Sequence, residues 1–101
     1  MIANTQPERR RNETMHTIVL AKLRRKITKE LTDRLTKVIE EQPMGVKIQS
    51  VHWTLGRYDV VLIGEVPDEK AAMAVLLQFD DDAATETLIA VPREEALKLL
   101  K

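Results

Sequence analysis

Cysteine is absent from the 101-residue chain, which excludes disulfides, thiolate nucleophiles and the common zinc-ribbon ligand sets. Aromatic residues are nearly absent too: Trp53, Tyr58 and Phe79 make up 3% of the chain, and none lies beside a basic cluster. A platform for stacking nucleic-acid bases needs rings next to positive charge, so the sequence argues against that partner. No apolar run approaches the roughly 20 residues that span a bilayer, and the arginines of residues 1–14 precede nothing like the hydrophobic segment of a signal peptide. No membrane partner is expected, and the default compartment is the cytoplasm. Net charge is zero as well.

That zero conceals a polarity. Residues 1–29 hold eight Lys or Arg against two Glu, a surplus of six positive charges that the rest of the chain balances with six negative ones. Such a division suits a basic arm that meets an acidic surface of another protein or of a second copy; a phosphate-gripping nucleic-acid interface is the alternative. With 44% hydrophobic and 32% charged residues, the composition is that of one ordinary soluble domain with a modest core. Residues 1–13, "MIANTQPERRRNE", have no helical or strand periodicity. They read as a flexible basic tail in which Arg9, Arg10 and Arg11 are candidate contacts for a protein partner, ahead of a domain of residues 14–101.

Within that domain the period of hydrophobicity switches repeatedly. Residues 15–23, "MHTIVLAKL", read as a strand with Met15, Val19, Ala21 and Leu23 on one face and Ile18 and Leu20 on the other. Ile27, Leu31, Leu35, Val38 and Ile39 then recur at helical spacing, predicting an amphipathic helix over residues 28–42 that Pro43 and Gly45 end. A strand over residues 46–55 is expected to put Val46 and Ile48 on one face and Val51, Trp53 and Leu55 on the other. Gly56 and Arg57 would turn it tightly into a strand over residues 58–66. Pro67 and Asp68 open a second helix with a stripe of Ala72, Val75, Leu76 and Phe79. The run Asp80-Asp81-Asp82 reads as a solvated turn, since it lacks the spaced ligands and central glycine of a calcium loop. Residues 85–91, "TETLIAV", form the last strand, and Pro92 starts a short terminal helix.

The order βαββαβ is that of an α+β, ferredoxin-like domain: one four-stranded antiparallel sheet with two helices on one face. The other face would carry Val61 and Ile63 of an apolar third strand into water, and two sheets facing each other would cover it. A homodimer is therefore expected.

The stretch "LGRYDVVLIGEVPDEKAA", followed by "TETLIAV", resembles the GYD domain family, named for a Gly, Tyr, Asp signature supplied here by Gly56, Tyr58 and Asp59. The resemblance covers residues 46–92, about half the chain, and rests also on "EVPD" at 65–68 and "TETL" at 85–88. It implies a ferredoxin-like fold of the dimeric α+β barrel group and carries no agreed activity. The chain departs from the family pattern at "LRRKI", residues 23–27, where members have a turn with Thr and Gly. It departs again at "DDAA", residues 81–84, where they have a Gly-Asn-Val-Arg stretch.

Candidate ligand-binding residues are His52, Trp53, Tyr58, Asp59, Glu65, Thr85 and Thr87. An unperturbed imidazole changes charge near neutrality, which singles out His52, and Glu65 is a carboxylate on an otherwise apolar strand, so these two residue types suit acid–base work. Thr85 and Thr87 share a strand face and suit a polar ligand, though threonine is also simply a good strand former. Tyr58 and Asp59 read first as architecture, with Gly56 permitting the turn, Asp59 accepting from nearby amides and Tyr58 burying a ring below a polar tip. His16, His52 and Glu65 would form a metal set only if the fold gathered them, and their spacing matches no ligand motif; no metal or cofactor is expected. A small dimeric binding or accessory module, holding a small ligand or docking through its tail, is the reading these residues favour. A cofactor-independent enzyme with a pocket between sheet and helices is the alternative, and nucleic-acid binding through the basic segment a second.

Overall fold

The computed structural model describes residues 14–100. The basic tail with Arg9, Arg10 and Arg11 lies outside the described residues. Strand β1 (Met15–Leu23) leads to helix α1 (Lys29–Glu41), and a single 3-10 turn, Pro43–Gly45, leads to β2 (Lys47–Trp53). Then come β3 (Val60–Val66), α2 (Glu69–Leu77), β4 (Ala83–Ala90) and a short α3 (Arg93–Leu97). The strands form one antiparallel sheet in the order β2-β3-β1-β4, which makes the domain ferredoxin-like as the sequence pattern requires.

Both long helices begin where a side chain satisfies an otherwise orphaned amide. Thr28 accepts from Leu31 N at 3.1 Å and Asp68 from Ala71 N at 2.9 Å. Helix α1 ends on Gln42, whose left-handed backbone returns its N–H to the Val38 carbonyl. The helices cover one face of the sheet, formed by rows such as Trp53–Val60–Ala21–Thr85 and Val51–Leu62–Val19–Thr87. On the uncovered face the rows are His52–Val61–Leu20–Glu86, Ser50–Ile63–Ile18–Leu88 and Lys47–Glu65–His16–Ala90.

One expected facing is overturned. The register of β2 slips between Ile48 and Ser50, so Gln49 bulges and the alternation resets. Ile48, Val51 and Trp53 consequently all face the helices, whereas strict alternation set Ile48 against the other two. Gly64 is the partner of Ile48 at this kink, and a Cβ there would clash with the Lys47 carbonyl oxygen. The bare backbone of Gly64 is what lets the bulged strand lie so close.

Among the described residues the buried apolar side chains are all Val or Ala: Ala21, Val38, Val46, Val60, Val66, Ala71, Val75 and Ala83. They fall into two clusters, one of Val38, Val46, Val66, Ala71 and Val75, the other of Ala21, Val60 and Ala83. Leu31, Leu35 and Leu76 on the helices are only half-buried. The core is made of small side chains in two parts, and the larger side chains stand around the space between them.

Candidate functional site

That space is an apolar cavity of about 120 Å³ under the helices. Members of both core clusters line it, with Leu35 and Val38 of α1, Leu76 of α2 and Phe79 closing it from above and Val19 and Leu62 from the sheet. A cleft of about 380 Å³ opens beside it, between α2 and β4, floored by Met15, Thr85, Thr87 and Ile89 and walled by Met73 and Leu77. Thr17, Ala72, Leu76, Thr85 and Thr87 border both spaces, so the cleft and the cavity adjoin. Thr17 is buried and donates its hydroxyl to the Gly64 carbonyl at 3.2 Å.

The anticipated site residues are divided between the two faces of the sheet. Trp53, Thr85 and Thr87 border the cavity from the covered face, and Glu65 also lines it. His52 stands in the row of Val61 and Leu20 on the uncovered face, and Glu65 in the row of His16. His52 and Glu65 are separated by four residues of β3, about 13 Å at the rise of a strand, so they share no centre. Among the described residues no three His, Asp or Glu side chains gather as a metal site.

Glu65 is held by polar neighbours at the end of β3. Its carboxylate accepts from the Thr14 hydroxyl and from Gln49 Nε2, each at 2.9 Å, with His16 Nδ1 at 3.8 Å. The Thr14 hydrogen bond, ahead of that from Gln49 and the charges of His16 and Lys47, holds it below the usual carboxylate range. That environment favours a persistent anion over a proton donor.

Gly56, Tyr58 and Asp59 belong to a connection longer than the tight turn the sequence suggests, since β2 stops at Trp53 and β3 starts at Val60. Gly56 has φ +116°, in the region open chiefly to glycine. The loop closes through Thr54, whose amide donates to the Asp59 carbonyl at 2.9 Å and whose hydroxyl donates to the Tyr58 carbonyl at 2.7 Å. Asp59 ties the loop to the end of β1: its carboxylate accepts from Leu23 N and its own amide donates to Ala21 O, both at 2.8 Å. Tyr58 reaches across β1 and donates its hydroxyl to Glu86 Oε1 on β4 at 2.7 Å. This bond holds the phenol proton more firmly than in an ordinary tyrosine. The three residues therefore fasten the β2–β3 connection to the two other strands.

Asp82 is the charged residue that the sequence did not single out. The expected solvated turn holds for Asp80 and Asp81, but Asp82 is only 6% exposed. Arg34 Nη1 of α1 donates to it at 2.9 Å, and Arg25 Nη2 lies 3.3 Å away. Arg34 also donates to the Gln78 carbonyl and sits over the Phe79 ring, 4.8 Å from its centroid. Arg24 donates its amide to Asp82 O at 2.8 Å and Nε to Asp80 O at 3.0 Å. The basic run after β1 is thus engaged in pinning the turn before β4. A basic run against an acidic run elsewhere in the chain was the available signal.

No curated protein matches the chain in sequence. An AsnC family transcriptional regulator from Agrobacterium tumefaciens superimposes with a TM-score of 0.56 and 19% identity, over 81% of this chain and 53% of that one. AsnC of E. coli gives 0.56 and 18% over 91% and 62% of the two chains. A transcriptional regulator of Neisseria meningitidis in complex with L-Met gives 0.55 and 12% over 78% and 51%. At these identities the likeness is one of fold, and this chain spans little more than half the length of those proteins. The family-level match is more telling, because it takes in the Gly56-to-Asp59 fastening together with the strands it ties: the GYD domain model covers residues 9–100, and the chain belongs to that family.

Proposed function

We propose that this chain is a dimeric small-ligand-binding module, with the ligand held in the cavity between sheet and helices. The carrying observation is the cavity itself. Protein interiors leave few voids larger than a water molecule, and the side chains lining an apolar space of about 120 Å³ forgo the dispersion contacts that a molecule seated there would supply. A ligand that fills the space stabilises the folded chain by the free energy of its binding. An apolar cavity of about 150 Å³ is known to stay dry and take up benzene, so the dimensions suit a small ring or branched chain. The L-Met complex of the Neisseria neighbour supports the reading, since that protein of like fold also holds a small molecule.

The dimer rests on the uncovered face. Ile18, Leu20, Val61, Ile63 and Leu88 form its centre, with Ile63 38% and Leu88 41% exposed in the single chain. Lys47, His16 and Glu65 stand at one end and His52 and Glu86 at the other. An apolar centre between polar ends carrying both signs of charge suits a two-fold contact with a second copy.

Catalysis by His52 or Tyr58 finds no support in this arrangement, because both act on the face away from the cavity. Toluene tests the binding reading: it is expected to raise the melting temperature with a saturable dose dependence. Ala72→Leu, which fills the common border of cavity and cleft, should abolish that response while the free protein stays folded. A melting temperature unmoved by toluene at its solubility limit ends the proposal.

A further inference from the structure

We infer that the ligand is an uncharged, amphiphilic small molecule whose apolar body fills the cavity and whose single hydroxyl or carbonyl group is read by Thr85 and Thr87 at the cleft. This rests on the binding reading above and specifies its chemistry.

The cavity alone would accept any hydrocarbon of suitable size. What discriminates is the border it has in common with the cleft, where β4 alternation turns Thr85 and Thr87 toward the helices while Glu86 between them faces away to Tyr58. Register sets Thr87 across from Val19 and Thr85 across from Ala21, which puts two hydroxyls at the edge of an otherwise apolar floor. Each hydroxyl can donate or accept, so a hydroxyl and a carbonyl are both recognisable. α2 leaves these residues exposed although they lie on the helix-covered side, so a polar group arriving from the cleft meets them first.

Charge excludes the ionised alternatives. The charged residues bordering the cleft are Glu69 and Asp80, both acidic. Asp82 at the cavity is held by Arg34 and Arg25; Lys47 and Glu65 also line it, but they are partners in a row of the uncovered face, where the Lys47 charge acts on the Glu65 carboxylate. A carboxylate or phosphate would lose its hydration and gain no cation in return. An ammonium would gain only water-exposed carboxylates, whose attraction is weak. A neutral polar group pairs with threonine at little cost, and burying it unpaired would cost severalfold to a hundredfold in affinity.

Four probes with one ring and different heads test this: toluene, benzyl alcohol, benzoate and benzylamine, titrated against the full chain by calorimetry. Benzyl alcohol is expected to bind at least as tightly as toluene, and benzoate and benzylamine at least tenfold more weakly than the alcohol. In the Thr85→Val/Thr87→Val variant, alcohol binding should weaken about fivefold with toluene within twofold of the parent. Valine suits a strand, and circular dichroism verifies the fold; should the pair not fold, either single variant gives the same comparison. Benzoate or benzylamine binding as tightly as the alcohol overturns the inference, as does an alcohol affinity that the threonine substitutions leave unchanged. Those results leave the cavity reading standing, whereas failure of toluene itself to bind removes both.

Discussion

Gly56 and Gly64 are required for opposite reasons. At Gly56 there is open space around the position of a Cβ, and only the positive φ excludes other residues; at Gly64 the backbone conformation is ordinary and the Lys47 carbonyl blocks the way. Gly56→Val is expected to cost about 1 kcal/mol or more through torsion, and Gly64→Ala about 2 kcal/mol through displacement of β2. Denaturant unfolding of the two variants measures both. An unchanged midpoint for Gly56→Val would mean that the loop relaxes to a common conformation. Tyr58 is the only tyrosine in the chain, so its ionisation is observable without ambiguity in the ultraviolet. Donation to Glu86 is the main cause that raises its pKa above 10.0, with desolvation and the Glu86 charge adding to it. The bond's contribution is therefore complete below pH 10 and is lost as pH rises through the folded-state value. Glu86→Gln should bring the titration back toward that of a free tyrosine; no movement would mean that the Tyr58–Glu86 bond does not form in solution.

Among the elements, the starts of β1 and β2 and the end of β3 share one electrostatic tie. Glu65 of β3 accepts from Thr14, just before β1, and from Gln49, the bulged residue of β2. Its depressed pKa gives the sign of the pH dependence. The stabilisation is present above the unfolded-state value near 4.5 and is lost as pH falls through the lower folded-state value. Glu65→Gln should therefore flatten the acid side of the stability profile below pH 4.5, measured by urea unfolding at stepped pH. An unaltered acid limb would assign that loss to other carboxylates. The bulge at Gln49 matters for the same reason: it delivers the amide to Glu65 and also turns Ile48 inward to the core cluster around Val66.

For the whole molecule, the two faces of the sheet separate two roles. The covered face holds the cavity, and the uncovered face holds the apolar centre proposed to meet a second copy. Leu88→Lys sets a charge in that centre at a residue that lines neither the cavity nor the cleft. Sedimentation equilibrium should show the parent at twice the chain mass and the variant at the chain mass, with the same circular dichroism. A parent that runs as a monomer at micromolar concentration would leave the uncovered face without its proposed partner.

The element order, the helix cap at Asp68 and the facing of β1 were legible in the sequence, because each is a local property: a period, a capping side chain, a proline or glycine stop. The family resemblance was legible for a related reason, since Gly56, Tyr58 and Asp59 are close together in the chain. Their bonds were not, because Glu86 and Leu23 come next to them only when β1 and β4 are paired in register. The bulge at Gln49 has no local signal, and it reversed the facing of Ile48 relative to Val51. Asp82 looked like its two acidic neighbours until the fold brought Arg34 and Arg25 against it. The cavity is the furthest from the sequence. Composition showed a modest core, but only the tertiary arrangement determines that valines and alanines meet in two clusters and leave a space between them, because a void is a property of how distant side chains fail to fill volume together.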